Sequence, residues 1–369
     1  MKKKIITLFI ALLSINSLFS QEESDMGKLT LSGYTDVNYF HNLNKPLSGN
    51  NTGVSGFARA FDQRSEQFQL GLVQTKISYA YKKSSLVADI AFGPHADLGN
   101  YGNLVGPLGT TSALAIKQAY LSFSATDKLT FTAGQFGTHI GYEVIDAPVN
   151  FNYSLSNLFN NGPFYHVGVK ADYLVHEKFA VMLGLVNNWD NLYDNNHFKT
   201  VVSQFKFMPN SKSTFYVNYI GGNEVTRSSF NSVDSLNSFK QMLDLVVNYQ
   251  MNDRFYFGVN ATVGGFHQLG LGMQNWGGIA LYSNCVFTSL FSMGFRAEYL
   301  DNTQGIQYIG NTQVQSYTLT GKFSLQNDHL VLKPELRFDQ YGNKQFEDEN
   351  GAFTRSSQLT IGAAAVYKF

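Results

Sequence analysis

The sequence predicts an all-β fold, a transmembrane antiparallel β-barrel of about sixteen strands with long outer loops and short periplasmic turns. Three observations predict it. Beyond the first twenty residues the chain is a series of segments with period-two alternation, each long enough to cross a hydrocarbon layer when tilted, at roughly 9–11 residues. The connections between them alternate in length. The last segment, 356–369, alternates strictly up to a terminal aromatic. Leu359, Ile361, Ala363, Ala365, Tyr367 and Phe369 share one face, and Thr360, Gly362, Ala364, Val366 and Lys368 share the other. A strand with one apolar and one mixed surface, closing on Phe, suits the lipid boundary of an outer-membrane barrel.

Taken in order, segments 29–40 and 68–81 flank the polar loop 41–67, and the turn 82–83 leads into 84–92. Loop 93–115 precedes 116–124, which the turn 126–128 joins to 129–136. After loop 137–165 come 166–174 and 179–187 around the turn 175–178, and after loop 188–199 come 200–208 and 214–221 around 209–213. Loop 222–240 leads to 241–250, the turn 251–254 and 255–264; loop 265–275 leads to 276–286, the turn 287–289 and 290–299. Loop 300–314, segment 315–325, turn 326–329, segment 330–340 and loop 341–355 bring the chain to its last strand. Eight long loops and seven short turns thus join sixteen strands, an asymmetry that puts the turns and both termini in the periplasm.

The N-terminus agrees. Residues 1–20 carry Lys2, Lys3 and Lys4, an apolar stretch from Ile5 to Leu13, and Ser20 before Gln21, the layout of a cleaved export signal. Cys285 is the single cysteine, so neither an internal disulfide nor a lipid anchor near the cleavage site is expected. With 27 basic and 27 acidic residues the net charge is zero, which disfavours a nucleic-acid partner. No stretch after the signal approaches the ~20 apolar residues of a spanning helix, so a membrane is crossed by strands. A soluble β-sandwich alternates as well. Export signal, strand length, terminal aromatic and loop asymmetry together favour the barrel.

Parity assigns faces. Val167, Val169, Ala171 and Tyr173, then Leu243, Leu245, Val247 and Tyr249, then Phe255, Phe257, Val259 and Ala261, and Phe291, Met293, Phe295, Ala297 and Tyr299 should meet outer-membrane lipid. Lys170, Asp172, Asp244, Asn248, Arg254, Tyr256, Asn260 and Thr262 then point inward. A Lys or Arg on the lipid face near the midplane would cost on the order of 2–4 kcal/mol. Ionisable inward residues gather on three successive strands: Arg296 and Glu298, Lys322, then Lys333, Glu335, Arg337 and Asp339. They read either as an ion-pair network bracing the wall or as a stripe steering anionic solutes. In 276–286 the two parities conflict, and a bulge near Gly277 and Gly278 is expected to shift the register.

Loop 137–165 is long, aromatic and punctuated by Pro148 and Pro163, features of a functional loop. It reads GTHIGYEVIDAPVNFNYSLSNLFNNGPFYHVGVK into the next strand. With the opening LSGYTDVNYF, the strand end GLVNNWDN and the closing aromatic strand, this resembles the OmpL-like β-barrel porin family over nearly the whole mature chain. The resemblance implies an outer-membrane porin passing small hydrophilic solutes and ions, with no established binding residues. The terminal Tyr367 and Phe369 resemble the signal read by the barrel-assembly machinery. A homotrimer is one assembly open to such a barrel, beside two-fold and monomeric forms.

A sixteen-strand barrel is wide enough for an aqueous lumen. In general porins the loop after the fifth strand often folds into it, and loop 137–165 is expected to do so here. Residues 154–160 should form a short helical turn ended by Asn161, Gly162 and Pro163. Glu143 and Asp146 would then face the basic wall residues across a constriction, with Tyr142, Phe151 and Tyr153 stacking on solutes or pinning the loop.

Other chemistry is weakly signalled. His139 and Glu143 lie four apart, but Gly137 and Gly141 argue against the helix that would aim both at a metal. The run 187–196 is rich in oxygen ligands without the spacing of a calcium loop. No Gly-x-Ser-x-Gly elbow and no phosphate-binding loop appears, so neither an enzyme nor a cofactor is expected. The competing reading is a structural or adhesive barrel with a closed lumen, displaying loop 41–67 with Arg59 and Arg64 to a partner.

Overall fold

Alternation over nearly every segment becomes sixteen strands that pair in sequence order and close on themselves. The structure, a computed structural model, describes residues 26–100, 104–105, 111–112, 116–194, 196, 198–224, 238–268 and 271–369. The expected export signal lies outside the described residues. The strands are β1 (Lys28–Asn42), β2 (Gln67–Tyr81), β3 (Ser84–Phe92), β4 (Ile116–Ser124), β5 (Leu129–Gly137), β6 (Tyr165–His176), β7 (Phe179–Val186) and β8 (Thr200–Asn210). They continue as β9 (Ser213–Asn223), β10 (Phe239–Gln250), β11 (Phe255–Gln268), β12 (Gly272–Val286), β13 (Phe291–Asn302), β14 (Thr312–Leu325), β15 (Leu330–Tyr341) and β16 (Ser357–Lys368).

Closure runs from Tyr34 opposite Lys368 to Asn42 opposite Thr360, and Phe369 N donates to Gly33 O at 3.0 Å. A closed ladder leaves no edge of unpaired amides, which lipid could not satisfy. The faces follow parity. Val169 and Leu243 are each 55% exposed, whereas Asp244 is fully buried.

Two expectations need correction. The bulge at Gly277 and Gly278 is absent: β12 runs in continuous register against both β11 and β13, with Trp276, Ala280 and Tyr282 buried inside and Ile279 and Leu281 exposed outside. Arg254 belongs to the turn before β11, where it is exposed, because pairing starts only at Phe255. Strands also extend at the loop end, as in β11 and β12, where Phe266 still pairs with Gln274.

Two short helices occur in the described loops, α1 (Pro94–Asn100) and α2 (Asn157–Asn160). Ser156 caps α2, its Oγ accepting from Phe159 N at 3.0 Å. Apolar side chains from loop and wall meet within the barrel: Ile140 and Leu158 pack with Met242, Trp276 and Tyr282.

Candidate functional site

The inward faces of β13, β14 and β15 bring seven ionisable groups of the sequence cluster onto neighbouring strands. Pairing sets Arg296 beside Thr318 and Thr318 beside Arg337, and likewise Glu298 beside Ser316 and Ser316 beside Asp339. Period two puts opposite charges next to each other on one strand: Arg296 Nε stands 2.7 Å from Glu298, and Arg337 Nε 2.8 Å from Asp339.

Five of the seven, Arg296, Glu298, Lys333, Glu335 and Arg337, also bond the segment 138–164 between β5 and β6. Arg296 Nη1 donates to Glu143 Oε1 and to Ser154 O, both at 2.6 Å. Glu143 Oε2 accepts from Ser156 N at 2.6 Å. Glu335 accepts from Tyr153 N at 2.7 Å and Ser154 N at 3.0 Å, and Glu298 accepts from Asn157 N at 2.6 Å. Arg337 donates to Leu155 O at 2.7 Å, and Lys333 donates to Ala147 O at 2.7 Å and Asn150 O at 2.5 Å. An irregular segment has amides and carbonyls that no ladder pairs, and burial without partners would be costly. The wall charges supply those partners, and the loop in turn satisfies the buried charges.

Apolar knobs complete the anchoring. Tyr142 stacks on Tyr282 with ring centroids 4.1 Å apart and lies over Gly258, where a Cβ would stand 2.5 Å from its ring. Phe151 covers Gly294, where an added Cβ would approach to 2.3 Å, and Leu158 lies over Gly278, where a Cβ would stand 2.8 Å from it and 2.5 Å from the Tyr299 carbonyl of β13. These inward glycines of β11, β12 and β13 are sockets that sequence reading missed. Their signal was parity: each falls on the lumen side of its strand.

The other named residues lie as follows. Asp146 does not meet the cluster on β13 to β15; it pairs with Lys117 of β4, which also lies 3.7 Å from Asp89. Glu143 touches Arg296 directly, so the pair bridges rather than faces across a gap. Tyr153 is buried, its hydroxyl donating to Asp36 at 2.5 Å and accepting from Asn38 at 2.7 Å. Lys170 pairs with Asp172 at 3.2 Å on β6, and Lys322 sits toward the turn end, 3.7 Å from Asp328. Arg59 is not displayed to a partner: it is buried against Asp62 and Asp339, and donates to Thr360 at 3.0 Å. Arg64 is exposed.

His139 and Glu143 have separate partners, the His139 Nε2 lying 3.0 Å from Tyr219 O. Burial pushes the His139 imidazole down to about 4 and the Tyr142 hydroxyl up to about 12. Among the described residues no cluster suited to a metal ion occurs.

Space remains on both sides of the loop. A cavity of about 310 Å³ toward the loop end is lined by Lys117, Gln118, Ile140, Glu143 and Asp146 among others. A second of about 310 Å³ toward the turn end is lined by Glu143, Asn150, Asn248, Asn284 and Lys322 among others.

A closed sixteen-strand barrel with a charged inner wall and a long loop bonded to it is the setting for the comparison with known proteins. The family described as "Putative beta-barrel porin-2, OmpL-like" matches residues 28–369. The chain belongs to this porin family. The anion-selective porin from Comamonas acidovorans superposes on this porin with a TM-score of 0.60 at 10% identity, covering 93% of this chain and 100% of that one. OmpT of Vibrio cholerae gives 0.57 at 10% identity over 94% and 99% of the two chains. The outer-membrane channel DcaP of Acinetobacter baumannii gives 0.57 at 9% over 93% and 98%. At such identities the likeness is one of fold, the outer-membrane porin barrel. No curated protein matches the chain by sequence.

Proposed function

We propose that this porin lets small hydrophilic solutes and ions diffuse passively through an outer membrane, along the space between segment 138–164 and the barrel wall. The observation that carries this reading is the pair of cavities, one toward each end of a barrel whose strand number suits an aqueous lumen. Segment 138–164 would set the constriction, with Glu143, Asp146, Lys117 and Lys322 bordering the path. Selection would rest on size and charge and need no catalytic step.

Residues 1–20 would direct export. Tyr367 and Phe369, exposed at the end of β16, would meet lipid and the barrel-assembly machinery. The trimeric assembly of a porin neighbour supports a homotrimer here.

A second reading, a structural barrel with a closed lumen, is favoured by the engagement of the buried Arg59, Arg296, Lys333 and Arg337 by wall and loop acceptors. Liposome swelling separates the two. Vesicles containing the folded barrel should swell in sugars at a rate that falls as solute size grows. Absence of swelling, with folding verified by heat-modifiable gel mobility, would support the closed barrel.

A further inference from the structure

The two cavities on either side of segment 138–164 share one lining residue, Glu143. Along the loop the two linings meet at this residue. The carboxylate is held by two donors, Arg296 Nη1 on one oxygen and the Ser156 amide on the other, each at 2.6 Å. A guanidinium N–H and a backbone N–H converging on a carboxylate from the wall and from the loop make a built carboxylate site, and here the chain fills it with its own side chain.

Moving Glu143 would do two things at once. It would join the cavities, and it would free one of the two Nη1 donors of a fully buried guanidinium, the other staying on Ser154 O. Glu298 does not compensate on that side. It engages Nε, and its other oxygen is occupied by Asn157 N. Elsewhere along the path the Lys117 charge is matched by Asp146, while Lys322 faces the turn-end cavity with Asp328 no nearer than 3.7 Å. The opened path therefore presents Arg296 and Lys322 to a solute.

We propose that Glu143 is the gate of the diffusion path, and that the site it vacates, Arg296 Nη1 with the Ser156 amide, binds small carboxylate anions in passage. The proposal rests on the diffusion reading above and adds a gate residue, a binding site and a solute class. A carboxylate on the solute replaces the carboxylate of the gate at the same two donors.

The test uses the full barrel in planar bilayers under a salt gradient, first with potassium chloride and then with potassium acetate added. Glu143→Ala should conduct several-fold more than the unsubstituted barrel, with a reversal potential on the anion side. Acetate should reduce its chloride current by occupying the vacated site. Glu143→Gln serves as the milder variant if the alanine form folds poorly, and folding is read from heat-modifiable mobility.

Unchanged conductance and selectivity in both Glu143 variants would overturn the gate. An opened Glu143→Ala barrel that prefers cations, or ignores acetate, would overturn the carboxylate site. A chain with residues 141–161 replaced by a short Gly-Ser linker separates these failures from that of the diffusion reading: if it too is silent, diffusion itself is refuted.

Discussion

Lys333 shows what a buried charge does in this lumen. Its ammonium is fully buried and donates to two loop carbonyls, those of Ala147 and Asn150. Lys333→Met keeps the bulk and removes the donors, leaving carbonyls whose loss of partners costs roughly 1–3 kcal/mol each. We expect the barrel to fold and the segment around residues 147–150 to become cleavable by added protease, read as new fragments on a gel; an unchanged digestion pattern would show that Lys333 does not anchor the loop. His139 gives a pH dependence with a definite sign. Its folded value, about 4, lies below its ordinary 6.5, chiefly through burial, with the His166 ring 5.9 Å away and Lys170 and Asp244 acting from β6 and β10. Below 6.5 the unfolded chain takes a proton that the folded chain refuses until about 4, so stability is lost as pH falls through that window. His139→Gln, which can still donate to Tyr219 O, should flatten the loss in thermal midpoints taken between about pH 7 and about pH 5. At this scale parity alone placed Arg296, Glu298, Glu335, Arg337 and Asp339 on inward faces. Their loop partners were not legible, because an irregular segment has no period from which to read which amide meets which carboxylate.

At the scale of elements, strands and loop part company. Strands were legible nearly to their ends, since one buried and one lipid-facing side impose period two and a one-residue slip would turn every charge toward lipid. The exception was β12, where adjacent glycines suggested a bulge. Close approach explains them better: a Cβ at Gly278 would meet Tyr299 O of β13 and Leu158 of the loop, and a Cβ at Gly277 would meet Thr262 O of β11, while Gly258 makes room for Tyr142 and Gly294 for Phe151. The helical turn was legible in part, four residues long where seven were expected, because Ser156 caps it and the helix starts only at Asn157. The Gly294 socket predicts that Gly294→Leu will leave the strands paired and push the loop off the wall. Circular dichroism should then match the unsubstituted barrel while sugar uptake in the swelling assay rises. If uptake does not change, the Gly294 socket is not what seats the loop.

At the scale of the whole molecule, closure between β1 and β16 makes a continuous hydrogen-bonded wall, and the loops fill much of what it encloses. Segment 138–164 does not act alone. Phe61 of the loop after β1 packs near Phe159 and Phe164, with ring centroids 6.2 Å and 6.3 Å away, and stacks on His95 of α1 at 4.6 Å. Barrel size and strand order followed from the sequence because they are set by counting strands and comparing connections. The extent of loop packing did not, since it depends on contacts such as Arg59 with Asp339, 280 residues apart in sequence. The central claim is that this barrel encloses a water-filled path narrowed by segment 138–164. Its most direct test is single-channel conductance of the folded chain beside a chain in which residues 141–161 are replaced by a short linker. The account predicts small discrete steps from the first and steps several-fold larger from the second. Equal steps from the two, or silence from both, would contradict it.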